Sequence, residues 1–153
     1  MDRTFVAENT KERKRLSSLV GNLTDEELSL PLGDDWTIAV ALAHLSFWDL
    51  RSLFLVRKWK KSGGVEPSPI DIDVTNDSLL SIWLAIPPRV AANLAVSSAE
   101  EIDRELEEAS SDFITKIERL GEKFRLYRSI HRRLHLDEIE EIFSNKAKTY
   151  QSK

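Results

Sequence analysis

Apolar residues recur three and four positions apart through most of this chain, and this spacing limits its fold more than any other feature of the sequence. The clearest such stretch runs from Ile38 to about Lys60 and carries Ile38, Leu42, Leu45, Trp48, Leu55 and Val56. This spacing places apolar side chains on one face of an α-helix. No segment shows the sustained alternation typical of a β-strand. The sequence therefore predicts an all-α fold.

Four long helices account for most of the predicted structure. They span about Thr4–Gly21, Ile38–Lys60, Pro88–Ala109 and Lys123–Ala147. Four helices of this length, joined by two substantial connections, are typical of a four-helix bundle. The length of 153 residues suits a single domain covering 1–153.

The connections between these helices differ in composition. Gly63–Val74 contains two glycines and two prolines, which favour a long crossing loop. A short helix near Asp77–Ala85 is predicted to follow it. Ser110–Gly121 is predicted to be a second connection with about one helical turn.

Threonines mark two helix starts. Thr24 and Glu27 have the spacing of a capping box, in which each side chain bonds the other residue's backbone amide. This short turn ends near Pro31 and Gly33. Thr37 is a suitable N-cap for the second long helix, because its hydroxyl can accept from an unpaired amide of the first turn.

The charge pattern gives no reason to expect a nucleic-acid partner. The formal net charge is −4, and the basic run at 11–15 in the first helix is interleaved with Glu8 and Glu12. We interpret this run as a solvated helix face.

The chain also lacks the marks of a membrane or secreted protein. The apolar stretch Ile38–Val56 is interrupted by His44, Asp49 and Arg51, which favours a buried helix over a membrane span. No apolar signal core follows the first residues, and there is no cysteine, so a disulfide scaffold and a cysteine-based metal site are excluded. We expect a cytoplasmic protein.

The three histidines are the strongest candidates for a functional site. His131 and His135 are four residues apart, which places two imidazoles on one helix face with Cβ atoms about 5 to 6 Å apart. His44 lies within the most apolar predicted helix, where a desolvated imidazole needs a hydrogen bond or a metal. Taken alone, His44 fits a core histidine bonded to a carboxylate or a carbonyl better than a ligand. Three neutral imidazoles together form a ligand set for zinc, nickel or iron(II), with positions left for water or substrate.

Two segments resemble the DinB-like (DinB/YfiT) family. In 36–45, a tryptophan and a hydroxyl cap precede a helix carrying the first histidine, and His131-x-x-x-His135 with the following 136–139 resembles the family's final helix. The turn at 24–31 also fits, so the resemblance covers most of the chain. It implies a four-helix bundle with a long crossover and a metal site made of His44, His131 and His135.

The resemblance also implies a range of activities. Some family members are transferases or isomerases that use a low-molecular-weight thiol, whose pKa the metal would lower. Hydrolysis by metal-bound water is a further reaction of such a site. The alternatives are a non-enzymatic metal- or ligand-binding bundle of the stress-response kind, and a plain interaction bundle whose histidines are core residues. A small-molecule substrate and a homodimer are expected partners.

Several other residues of the predicted last helix are candidates for this site. Tyr127 and Glu138 share the histidine face, where Tyr127 could orient a substrate or act as an acid and Glu138 could be a fourth ligand or accept from an imidazole N–H. For both, an ordinary bundle side chain is the alternative. Arg128, Arg132 and Arg133 could bind an anionic substrate, but ion pairs with nearby acids such as Asp49, or with the third long helix, are the preferred interpretation.

Overall fold

Helices make up most of the described chain. The structure is a computed structural model that describes residues 2–151, the side chains of 148–150 excepted. Its described helices are α1 (Thr4–Asn22), α2 (Asp25–Leu28), α3 (Ile38–Ser62), α4 (Ile72–Ala85), α5 (Pro88–Glu107), α6 (Ser111–Glu118) and α7 (Ser129–Gln151). The predicted all-α class is confirmed, with one small exception described next.

A two-stranded hairpin interrupts the helices between α2 and α3. Strand β1 (Pro31–Gly33) pairs antiparallel with β2 (Trp36–Thr37). Asp34 and Asp35 form its turn in the left-handed region, with φ of 46° and 63°. Strands of three and two residues are too short to show alternation in a sequence, so this hairpin was not predicted.

Both predicted threonine caps are confirmed. Thr24 and Glu27 form a complete capping box at the start of α2. The hydroxyl of Thr37 accepts from the backbone amide of Val40 at 3.1 Å and so begins α3. Because Thr37 also belongs to β2, this cap fixes the hairpin against the helix that carries His44.

The predicted start of the last helix, near Lys123, is wrong. A single 3-10 turn spans Gly121–Lys123 instead, with Gly121 at a positive φ of 57°, and Phe124 is extended. Helix α7 begins only at Ser129. Tyr127 therefore lies outside the helix on which it was placed.

The two predicted connections hold more helix than expected. Helix α4 starts at Ile72 rather than near Asp77, because the side chain of Asp71 accepts from the amide of Val74 and caps it. Helix α6 spans eight residues, capped by Ser110, with Ile114 and Ile117 buried.

Helices α1, α3, α5 and α7 contact one another in a closed ring. Helix α3 lies against α5 and α7, and α1 lies against the same two helices. Small residues of α5, among them Ala91, Ala95 and Ala99, are fully or almost fully buried and allow α3 to approach closely. The predicted burial of α3 is confirmed.

Helix α3 also has the length and apolar composition of a membrane span, although it contains His44, Asp49 and Arg51. Within the described chain it is the one helix that does. However, 67% of its most apolar stretch is buried inside the protein, as expected of a core helix.

A buried ionic cluster ties α7 to the other three long helices. The guanidinium of Arg132, fully buried, pairs with Asp103 of α5 at 2.8 Å and with Asp49 of α3 at 3.2 Å, and donates to the backbone oxygen of Asn9 on α1. Arg128 pairs with the same Asp49 at 2.9 Å. These contacts fix the rotation of α7 about its axis, because turning the helix would leave buried charges unpaired.

Candidate metal centre

The three histidines meet at one point between α3 and α7. His44 Nε2 lies 2.8 Å from His131 Nε2, and His135 Nε2 lies 3.1 Å from the same atom. All three ligand nitrogens lie within 4.8 Å of one another. The structure thus brings together the residues that the spacing and the resemblance had singled out.

This geometry fits the ligand set of a single metal ion. Two imidazole nitrogens bound to one zinc ion at about 2.0 to 2.1 Å are separated by about 2.9 to 3.4 Å, depending on the coordination geometry. The two shorter nitrogen separations, 2.8 and 3.1 Å, lie near this range. Three protein nitrogens leave at least one position open on a tetrahedral ion, as in catalytic zinc sites.

Local structure places each histidine. Helix α3 presents His44 after the Thr37 cap, and α7 presents His131 and His135 one turn apart. Arg132, next in the chain to His131, is held by the buried ionic cluster. The rotation of α7 that satisfies this cluster therefore also directs the two histidines towards α3.

Tryptophan rings flank two of the three imidazoles, those of His44 and His135. The ring of Trp36, from the hairpin, lies 4.9 Å from that of His44 and stacks on His135 at 6.1 Å. Trp83 of α4 lies 5.3 Å from His44, edge to face. Trp83 is buried in the core, and Trp36 is partly buried against it. Such rings exclude water from one side of the site and strengthen interactions within it.

Burial keeps the imidazoles in the form that binds metals. It lowers the pKa of His44 to about 3 and that of His131 to about 2, with charge repulsion from His135 adding to both. Burial also lowers the pKa of His135, although Glu138 opposes this. All three are therefore neutral at pH 7, and a neutral imidazole is the metal ligand.

Two side chains lie behind the ligand nitrogens. Glu138 Oε2 lies 3.2 Å from Nδ1 of His135. Nδ1 of His44 is buried and has no partner at hydrogen-bond distance in the part of the chain that the structure describes. The side chain of Asn76 nevertheless raises the pKa of His44 against the effect of burial. Asn76 belongs to α4 and was not singled out in the sequence.

A cavity of about 290 Å³ adjoins the centre. It is lined by Leu32, Gly33, Asp34, Trp36 and Glu138. Two of these lining residues, Trp36 and Glu138, also contact His135. A small molecule bound here would contact Trp36 and Glu138, the side chains that touch His135.

Tyr127 does not join this site. It packs on Phe5, with ring centroids 6.4 Å apart. Phe5 belongs to an apolar cluster that also contains Trp59 and Phe124. Its placement on the histidine face required a helix that begins near Lys123, and α7 begins at Ser129. The correction follows from this later helix start.

The arginines are engaged in ion pairs, as the preferred interpretation predicted. Arg128 and Arg132 pair with Asp49, and Arg132 also reaches Asp103 of α5. Arg133 pairs with Glu8 and Glu12 of α1.

Comparisons with protein-family models, with curated proteins and with solved structures found no match to this chain.

Proposed function

We propose that His44, His131 and His135 hold one divalent metal ion and that this centre acts on a small molecule bound in the adjoining cavity. The observation that carries the proposal is the convergence of three neutral imidazole nitrogens, two of whose separations are 2.8 and 3.1 Å. Neutral nitrogens without carboxylates or thiolates favour zinc, nickel or iron(II) over calcium or magnesium.

We also propose that the fold is a four-helix bundle with a long crossover, of the DinB-like type. The closed ring of α1, α3, α5 and α7 supports a bundle. The segment at 63–87, which includes α4, joins α3 to α5 and supplies the crossover. This crossover brings Trp83 and Asn76 to the histidines.

A divalent ion at this centre supplies a Lewis acid, which lowers the pKa of a coordinated thiol or water. The chain's own residues hold and shield it. His135 is oriented by Glu138, which leaves Nε2 directed at the centre. Trp83 limits the access of water from the crossover side, and Trp36 lines the adjoining cavity.

The proposed reaction class is transfer or isomerisation that uses a low-molecular-weight thiol, or hydrolysis. The chain contains no cysteine, so the sulfur of any thiol chemistry must come from a small molecule. The adjoining cavity, lined by Trp36 and Glu138, supports a place for that molecule near His135, and His131 is only half-buried.

The second candidate is a metal- or ligand-binding bundle without turnover. The observation that favours it is the contact of the Glu138 carboxylate with Nδ1 of His135. Glu138 is engaged with His135, so it is poorly placed to act as a general base.

One experiment separates the two candidates. Zinc-, nickel- and iron-loaded protein is incubated with a thiol and a chromogenic electrophile, and with an ester, while thermal unfolding is followed in parallel. Turnover that requires the metal and is lost in His131→Ala supports the enzyme. A metal-dependent rise in melting temperature without turnover of either substrate supports the binding bundle. If the metal produces neither turnover nor a rise in melting temperature, the metal centre itself is contradicted.

The homodimer and the cytoplasmic location stay predictions, since no described contact bears on either.

A further inference from the structure

The hydrogen bonds among the histidines assign the position of each imidazole proton. A carboxylate only accepts hydrogen bonds, so Nδ1 of His135 donates to Glu138. A neutral imidazole carries a single N–H, and Nε2 of His135 is therefore an acceptor. Its neighbour at 3.1 Å, Nε2 of His131, must then carry the proton of that ring.

The same reasoning fixes the proton of His44. Its Nε2 lies 2.8 Å from Nε2 of His131, which is already the donor. Nε2 of His44 is then an acceptor as well, and its proton must lie on Nδ1. His131 shares its one proton between two acceptors, which is a common arrangement for N–H groups.

This assignment leaves a buried donor to be satisfied. His44 is 5% exposed, and its Nδ1 has no partner at hydrogen-bond distance among the described residues. Buried N–H groups nearly always have an acceptor, because an unpaired one loses its bonds to water without replacement. We therefore expect a nearby side chain to accept this hydrogen bond after a small movement.

Asn76 offers an acceptor close to α3. Its Oδ1 accepts from Nε1 of Trp48 at 3.1 Å. An indole N–H can only donate, so this contact directs the amide oxygen of Asn76 towards α3. Trp48 lies one turn after His44 on α3, with ring centroids 6.3 Å apart. An amide oxygen has two lone pairs, and one of them is not used by Trp48.

We propose that Asn76 accepts the Nδ1 proton of His44 and that Trp48 holds the Asn76 amide in the orientation this requires. Asn76 is thus a positioning residue. It fixes the tautomer that leaves Nε2 of His44 free to bind a metal, as Glu138 does for His135 on the other side of the centre. The contact also gives the crossover helix α4 a direct role at the histidines.

The assignment concerns the protein without metal, whereas its effect on metal affinity rests on the proposed function. On metal binding, His44 and His135 already present unprotonated Nε2 atoms. His131 alone has to move its proton to the other ring nitrogen. Loss of an outer hydrogen-bond partner of a ligand imidazole lowers metal affinity by about 10- to 100-fold.

The test combines imidazole ¹⁵N NMR of the metal-free protein at pH 7 with zinc affinity measured by chelator competition. The variants are Asn76→Ala, Asn76→Asp, which keeps an acceptor, and Trp48→Phe, which removes the donor that orients Asn76. Asn93→Ala is the matched control, because Asn93 is an exposed asparagine on α5. Circular dichroism checks that each variant is folded.

In the wild type, we expect the His44 proton on Nδ1. In Asn76→Ala, we expect a mixture of His44 tautomers and a zinc affinity lower by about 10- to 100-fold, with Asn76→Asp close to the wild type. Trp48→Phe should also give a mixture of His44 tautomers and a lower zinc affinity. If Asn76→Ala does not fold, the Trp48→Phe variant tests the proposal in its place.

A wild-type His44 protonated on Nε2 would overturn the proposal. An Asn76→Ala variant that matches Asn93→Ala in both readouts would overturn it as well. If the wild type binds no zinc, the proposed function fails, while the NMR result still decides the role of Asn76.

Discussion

Acid should destabilise the metal-free protein through its buried histidines, and His44 gives the clearest case. Burial lowers the pKa of His44 to about 3 in the folded state, against an ordinary value near 6.5 in the unfolded chain. At pH 7 both states are neutral at this residue. Below pH 6.5 the unfolded state takes up a proton that the folded state does not, so stability falls as the pH falls towards 3.

The magnitude follows from these two pKa values. At pH 4.5 the unfolded histidine lies two pH units below its pKa, while His44 in the folded state is still neutral. Two units correspond to about 3 kcal/mol of lost stability from this single residue. His131 should add a loss of similar size, because its pKa is lowered to about 2.

The assay is urea unfolding of metal-free wild type and His44→Leu at pH 7 and pH 4.5. The fall in unfolding free energy between the two pH values should be smaller by about 3 kcal/mol in the variant. Removing His44 also removes a repulsion that lowers the pKa of His131. This change likewise makes the fall in unfolding free energy smaller in the variant. Between pH 8 and 9 the unfolding free energy should change with pH in the same way in both proteins, since His44 is then neutral in the folded and the unfolded state. An equal fall with pH in both proteins would refute the reasoning.

Two further predictions concern stability, with urea unfolding at pH 7 as the measurement. Arg132→Met should lower the unfolding free energy by about 3 to 5 kcal/mol, because it leaves the buried carboxylates of Asp49 and Asp103 short of a partner. Arg125→Met, at an exposed arginine, should change it by less than about 0.5 kcal/mol, and equal losses in the two variants would contradict the ionic cluster. Thr37→Ala should remove the cap of α3 and cost about 1 kcal/mol, whereas Thr37→Ser should retain most of the stability; a neutral Thr37→Ala would argue against the cap.

Much of the fold could be predicted from local signals. The starts of α1, α3 and α5 follow from apolar spacing together with Thr37 as a cap and Pro88 at a first helical turn. The histidines could be singled out because their spacing on α7, and the burial of His44, are visible in the sequence itself.

The failures have physical causes as well. Tyr127 was misplaced because the chain between Gly121 and Ser129 contains no proline, and the positive φ of Gly121 and the extended Phe124 have no strong local signal. Asn76 was missed for another reason. Its role depends on where the crossover carries α4 relative to Trp48, and such tertiary contacts between distant segments leave no periodic pattern.

Zinc titration of protein purified without a histidine tag tests the central claim most directly. The wild type should bind one ion per chain, and His44→Ala, His131→Ala and His135→Ala should each lose most of that affinity, since each removes one of three ligands that converge on one point. Absence of binding to the wild type, or binding that all three variants retain unchanged, would contradict the metal centre.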